Sequence, residues 1–419
     1  MNSKYKQTEV KNFNLNMKIY LALPALNEAD FISTTLDCIV NQQSTIDVET
    51  VICVNQPDEW WENPEKISIC ENNIKTLKLL QSYQKQMSIS IIDRCTKGKG
   101  WKGKEIGVGY ARKTIMDFIG EKAADEDIII SMDADTLIDP DYVESIAQNF
   151  LRNPDAMAIS APYYHPLSGN KDADKSMLRY EIYMRNYAIN MLRIDSPFAY
   201  TALGSAIAYK QWAYRKIGGM SPVKSGEDFY FLQQIRKVGK LIIWNDSIVK
   251  PAARFSDRVF FGTGPAMIKG NEGNWESYPI YHTSLFDHVL VFYKNIETLY
   301  QKDESLVFLD YLKEQFKNQN FLEPLRKNFK NLEQFKKAVH TKVDGLRILQ
   351  FMKAQQKELN YDDLSSLKEN IVFHFADDEI NLSNCLNRNL EKMEDLIYFR
   401  DLLFEKELKM LKLKNDKNQ

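Results

Sequence analysis

Two carboxylates one residue apart, Asp133 and Asp135, follow the run Ile128-Ile129-Ile130 in the stretch DEDIIISMDADTLIDPDY. Oxygen donors at this spacing suit a hard divalent cation such as Mg²⁺ or Mn²⁺, which also holds substrate phosphates. Two acids emerging together repel each other unless a cation neutralises them. The bare D-x-D pattern is weak, because it recurs at Asp125/Asp127, Asp139/Asp141 and Asp172/Asp174, which read as solvated turn residues. Position sets Asp133 and Asp135 apart: they leave the end of a run apolar enough to be buried on both faces. The competing reading is a polar turn that closes a strand.

A second constellation lies in IIDRCTKGKGWKGKEIGVGYARK, where Gly98 to Glu105 is one residue short of a phosphate-binding P-loop. That loop needs Ser or Thr after its Gly-Lys to give a hydroxyl to Mg²⁺; Glu105 would set a negative charge beside the phosphates. A loop bordering a nucleotide site, with Lys99, Lys102 or Lys104 near phosphates, fits better than an ATPase cradle. An exposed basic loop is the alternative, and it leaves Trp101 unexplained. A third constellation is Glu227-Asp228, which opens the helical pattern DFYFLQQIRKVG after Gly226. A carboxylate there suits a general base, or a plain helix cap. In ARFSDRVFFGTGPA, Arg254, Asp257 and Arg258 could fold over a diphosphate; Asp257 either completes a metal shell or pairs with an arginine. His165 and His282 read as structural.

The elements that must position these groups follow from periodicity. KIYLALPAL, VETVICVNQ, SISIIDR, DEDIIISMDAD and AMAISAP read as strands, with helical patterns between them. Five such strands predict a mostly parallel sheet covered by helices on both faces, an α/β fold. Ligands of such sheets bind beyond the strands' carboxyl ends, which selects Pro24–Glu28, Val54–Gln56, Asp93–Lys104 and Asp133–Asp135. The start Asn27-Glu28-Ala29-Asp30 looks suited to capping the first helix. SMLRYEIYMRNYAINMLR reads as an aromatic amphipathic helix packed on the sheet, with an acceptor- or lipid-facing surface as the sharper option. From about residue 280 glycine nearly vanishes and helical spacing continues to the end. The expected division is 1–275 for the α/β catalytic unit and 276–419 for an all-α region. The terminal KELKMLKLKNDK reads as a solvated tail, with contact to an anionic membrane as the sharper option.

At 419 residues, 44% hydrophobic and 27% charged, the chain matches a folded protein of two domains. A net charge of −2 gives no overall pull toward nucleic acid. Five scattered cysteines without C-x-x-C spacing argue against a disulfide framework and a zinc site, and fit a reducing cytoplasm. Neither a signal peptide nor an 18-residue apolar span is present in the pattern. The expected location is therefore cytoplasmic, or peripheral to the inner face of the membrane.

With these pieces in place the chain resembles glycosyltransferase family 2, enzymes of the GT-A fold that use nucleotide-diphosphate sugars. YLALPALNEADFISTTLDCIVNQ, SMDADTLIDPDYV and GSAIAYKQWAYRKIGGMSPVKSGEDFYFLQQIRKVGK carry the resemblance, over roughly 18–265. It implies a GT-A, Rossmann-like sheet and a Mn²⁺- or Mg²⁺-dependent, inverting transfer from a nucleotide-diphosphate sugar to an acceptor hydroxyl on a glycan, lipid or small molecule. It assigns Pro24, Asn27, Glu28, Asn55, Asp93, Lys104, Arg112, Asp133 and Ala134 to the donor pocket. Asn55 stands where the family often has an acid, Asp93 where nucleobase or ribose is recognised, and Arg112 where the diphosphate lies. Asp133 and Asp135 match the metal ligands, with Asp257 as a third. Gly204, Ser205, Gly218 and Gly219 belong to the acceptor-side block, and Asp228, or its neighbour Glu227, matches the general base. The alternatives are a nucleotidyltransferase on a related sheet and a non-catalytic nucleotide-sugar-binding protein.

Overall fold

The computed structural model describes residues 17–103, 106–223, 226–256, 262–376 and 378–417. Its α/β part runs β1 (Ile19–Ala25), α1 (Ile32–Val40), β2 (Val48–Asn55), α2 (Ile67–Tyr83), β3 (Ile89–Arg94), α3 (Val108–Gly120) and β4 (Ile128–Ser131). It continues through β5 (Leu137–Ile138), α4 (Tyr142–Arg152), β6 (Ala156–Ser160), α5 (Lys171–Arg193), β7 (Ile207–Lys210) and α6 (Gln211–Lys216). Then come α7 (Glu227–Val238), β8 (Lys240–Ile242), β9 (Val249–Lys250) and α8 (Thr263–Asn271). Helices alone follow, from α9 (Thr283–Lys294) to α17 (Met393–Lys417).

Seven strands form one sheet in the order β3-β2-β1-β4-β7-β6-β8. All are parallel except β7, which runs against both β4 and β6. The chain order reverses between β1 and β4, so the switch point lies where Ala22 pairs with Ser131. A small antiparallel pair, β5 with β9, sits apart. The expected mostly parallel, helix-flanked sheet and the all-α C-terminal part are both present.

Strands buried on two faces must be apolar, and β1 is so throughout and β4 as far as its last residue, Ser131. Ile19, Leu21, Leu23, Ile128 and Ile130 point to the side covered by α1 and α4. Tyr20, Ala22, Ile129, Ile207 and Tyr209 point to the side covered by α3 and α7. On that second side α3 buries Ala111, Ile115 and Ile119, and α7 buries Phe231, Leu232 and Ile235. Helix α3 follows a parallel strand and α7 precedes one. Both therefore start at the carboxyl edge of the sheet, and their first turns meet there.

Three local expectations are corrected. Helix α1 has no side-chain cap: Phe31 occupies that position, Asn27 is left-handed at φ 59°, and the Glu28 carbonyl accepts from Phe31 and Ile32. The aromatic helix α5 is buried, but among helices rather than on the sheet. Leu178, Ile182 and Ile189 pack with Leu396, Phe399 and Leu403 of α17, while Met177 and Tyr180 pack against Ala266 and Met267 of α8. The terminal KELKMLKLKNDK is no free tail, because Leu411 is buried and Lys414 pairs with Asp195 at 2.9 Å. Between α5 and α17, the buried Arg185 bonds both Glu181 and Glu407, the latter at 2.5 Å. Arg400 donates to the His165 carbonyl and lies 3.4 Å from Glu181. This polar cluster is fully enclosed, so each charge depends on its partner. Among the described residues no helix is long and apolar enough to cross a membrane.

Candidate active site

Arg112 sits in the first turns of α3, one residue past the buried Ala111, and its side chain is only 3% exposed. Its Nε donates to Glu227 Oε1 at 3.0 Å, one Nη to Asp133 Oδ1 at 2.6 Å and the other to Ser131 Oγ. One guanidinium thus ties the end of β4 to the start of α7. Burial alone would make this cation less stable. The carboxylates of Asp133, Glu227 and Asp228 outweigh burial and raise its pKa above the ordinary value. Gly204 makes the arrangement sterically feasible: a Cβ there would lie 2.5 Å from an Arg112 Nη and 3.5 Å from Asp228 Oδ2.

Asp228 is partly buried beside this cluster and accepts a bond from the Phe229 amide at 2.7 Å. Burial, followed by repulsion from Glu227, pushes its carboxyl up to about 7, with Arg112 opposing. An acid that titrates near neutrality at a helix start suits proton transfer. Gly226 precedes it at φ 76°, a left-handed position that favours glycine. Tyr180 of α5 is near enough for the Asp228 charge to help raise its phenol, after burial.

Asp135 is held by a second arginine. Arg254 donates from Nε to Asp135 Oδ2 at 2.6 Å and from Nη to both Glu28 oxygens at 2.5 and 2.7 Å. Its guanidinium lies 4.2 Å from the Phe31 ring centre. Burial would lower Arg254, but Asp135 and Glu28 outweigh it and raise its pKa. The repulsion foreseen between Asp133 and Asp135 is therefore relieved by Arg112 and Arg254. Asp133 Oδ2 and Asp135 Oδ1 keep no hydrogen-bond partner among the described residues. These two hard oxygens fit a Mg²⁺ or Mn²⁺ ion that takes the rest of its shell from phosphate oxygens and water. Among the described residues no group of three or more His, Cys, Asp or Glu side chains could hold a metal. Asp257, Lys104 and Glu105 lie outside the described residues.

The other expected donor-pocket residues lie at the ends of β1 to β4. Asn55 is buried; its amide donates to the Ala25 carbonyl at 3.0 Å and its Oδ1 accepts from Trp101 Nε1 at 3.2 Å. Trp101 is thus an anchor that pins the glycine-rich loop to the sheet. In that loop the Gly98 and Gly100 amides donate to Asp58 Oδ1 at 2.7 and 3.2 Å, so they are not directed at a phosphate. A Cβ at Gly100 would lie 2.7 Å from Asp58 Cα, which leaves room for glycine alone. Asp93 accepts from the Cys95 and Thr96 amides and from Lys99 Nζ at 3.0 Å; these bonds override burial and hold its carboxyl well below the usual range. Pro24 lies in β1, and the Asn27 amide donates to Asn73 Oδ1 at 2.8 Å. Ala134 is buried with its carbonyl on Thr35 Oγ1 at 3.0 Å.

Of the acceptor-side block, Gly204 joins the Arg112 cluster. Ser205 is buried with its hydroxyl unpartnered among the described residues. Gly218 and Gly219, at φ 80° and 85°, form the turn that ends α6. His165 bonds Glu181 and His282 caps α9, as structural histidines do. In the sequence Arg254 stands out as part of a segment that could fold over a diphosphate, but not as the partner of Asp135 and Glu28, and Ser131 does not stand out at all. A serine ending an otherwise all-isoleucine strand was its only signal.

Residues 75–217 match the family model described as "Glycosyl transferase family 2". No curated protein matches the chain. Among solved structures, it is similar to S. aureus TarS 1-349 in complex with UDP-GlcNAc, at 12% identity and a TM-score of 0.39, covering 93% of this chain and 91% of that one. It is also similar to the mannosyltransferase PcManGT from Pyrobaculum calidifontis in complex with GDP-Man and Mn²⁺, at 13% identity and a TM-score of 0.38, covering 95% and 86%. At such TM-scores the fold is read from the strand order itself. The likeness to glycosyl transferase family 2 is thus carried by residues 75–217, which hold Asp93, Arg112, Asp133, Asp135, Gly204 and Ser205.

Proposed function

We propose that the protein transfers a sugar from a nucleotide-diphosphate donor to an acceptor hydroxyl, with Asp228 as general base and inversion at the anomeric carbon. The observation that carries this reading is the Arg112 clamp, which brings Asp133 beside Glu227 and Asp228 at the switch point of the sheet. The donor's nucleoside end is assigned to the ends of β1 to β3, around Asn55 and the Trp101-anchored loop. Its diphosphate is assigned to the space between Arg112 and Arg254, where two guanidiniums offer forked donors. A divalent cation held by the free oxygens of Asp133 and Asp135 would supply Lewis-acid stabilisation of the leaving diphosphate. Asp228, with a carboxyl that titrates near neutrality, takes the acceptor proton as the hydroxyl attacks. Arg112 keeps Glu227 and Asp133 from crowding Asp228, and so sets the fraction of Asp228 that is ionised.

The test is a panel of UDP-, GDP- and TDP-sugars with the full chain, with and without Mn²⁺, scored for nucleoside diphosphate release. The expected result is release from one donor class, lost in Asp135→Ala. In Asp228→Asn donor binding should persist while turnover falls at least about 100-fold. Pyrophosphate release from a nucleoside triphosphate would instead make the protein a nucleotidyltransferase, and binding without turnover would make it a scaffold.

A further inference from the structure

A groove of about 840 Å³ opens where the sheet ends at β8, remote from β3. Its walls are the end of α7, β8, the loop after α5, α13 (Leu332–Lys342) and the end of α17. That volume lies within the range of small-molecule sites. Six cations line it, Arg236, Lys237, Lys240, Lys336, Lys337 and Lys414, against two acids, Asp195 and Glu333. Four of the six are paired: Lys237 with Asp344 at 2.6 Å, Lys240 with Asp155 at 3.2 Å, Lys336 with Glu333 at 3.0 Å and Lys414 with Asp195 at 2.9 Å. Arg236 and Lys337 have no acidic partner among the described residues.

Arg236 is the unusual group. Its Nε donates to the Pro197 carbonyl at 2.8 Å, while both Nη groups lack a hydrogen-bond partner among the described residues. Burial holds this guanidinium below its ordinary value, and Tyr200 and Asp195 offset that only in part. A half-buried cation that turns unspent forked donors toward a groove is placed to receive an anion. His340 stands on the facing wall, with neither ring nitrogen bonded among the described residues. Burial, then the Arg236 charge, holds it down to about 4, so near pH 7 it is a neutral ring with one N–H to give. The dipole at the end of α7 accounts for Arg236 and Lys237, but not for Lys336, Lys337 and His340 on α13.

We propose that this groove binds the phosphate group of a small ligand, with Arg236 as the forked donor and Lys337 and His340 alongside. A guanidinium fork matches phosphate geometry, and the surplus of cations suits more than one negative charge. The groove is separate from the site at the start of α7, since Asp228 and Arg236 are eight residues apart, roughly 12 Å along the helix.

The full chain is titrated calorimetrically at low salt with inorganic pyrophosphate, and separately with glucose 1-phosphate. The expected result is a site that survives Arg254→Ala and weakens at least about tenfold in both Arg236→Gln and Lys337→Glu. Lys337 is exposed and unpaired, so its variant remains informative even where Arg236→Gln folds poorly. Tighter binding of the sugar phosphate identifies an organic phosphate, and tighter binding of pyrophosphate a free anion; either supports the site. The proposal is overturned where neither anion binds at millimolar concentration, or where binding disappears in Arg254→Ala and is unchanged in the two groove variants.

Discussion

The pH dependence of turnover should be set by Asp228 and tuned by Glu227. Asp228 rises from its ordinary 3.8 to about 7, first through burial and then through repulsion by Glu227. That rise corresponds to at most about 4 kcal/mol favouring the protonated form. If Asp228 is the base, kcat/KM follows its ionised fraction: about one half at pH 7, one tenth at pH 6 and one hundredth at pH 5. Glu227→Gln removes the repelling charge and also turns Arg112 wholly toward Asp133 and Asp228, and both effects favour ionisation. The acid limb should then move down by at least about one pH unit. The assay is nucleoside diphosphate release at subsaturating donor from pH 5 to 8.5, at constant ionic strength, because kcat/KM reports the free enzyme. Stability should move the opposite way to activity. The folded protein binds this proton more tightly than the unfolded chain, so this group's contribution is lost as pH rises from about 4 to about 7. Asp228→Asn should abolish that slope along with the acid limb. A limb near pH 4 in the wild type, or an unchanged limb in Glu227→Gln, refutes the assignment.

Three further outcomes follow from the geometry. Gly204→Ala puts a methyl 2.5 Å from an Arg112 Nη; it should lower thermal stability by about 1–3 kcal/mol and cut turnover more than donor affinity. Arg254→Ala removes the cation bonded to Asp135, so Mn²⁺ should bind more tightly by electron paramagnetic resonance while donor binding weakens; unchanged Mn²⁺ affinity would remove Asp135 from the metal site. Glu407→Ala leaves Arg185 enclosed with less compensation, and chemical denaturation should show a loss of about 3–5 kcal/mol; a loss below 1 kcal/mol would mean that the α5–α17 cluster is well hydrated.

How far the sequence could be read depends on the range of each interaction. The five strands, their parallel order and the carboxyl-edge location of Asp133, Asn55 and Asp93 follow from local periodicity and from one rule of α/β sheets. β7 and β8 escaped because IAYK and KLI are short, each include a lysine and lack an apolar run like Ile128-Ile129-Ile130, and α5 was misplaced because burial from the sequence does not name the burying partner. The same limit hid the fate of the terminal lysine-rich segment, whose leucine at 411 reads as one apolar residue among charges.

By itself the sequence determined which acids, arginines and glycines stand at the ends of which elements, because spacing and apolar runs are local properties of the chain. Only the tertiary structure decided how they are paired. Arg112 reaches Glu227 across 115 positions, and Arg254 reaches Glu28 across 226. No periodicity records such distances. Which arginine neutralises which carboxylate, and so where Asp228 titrates, is settled when α3 and α7 bury their apolar faces on the same side of the sheet and bring their first turns together.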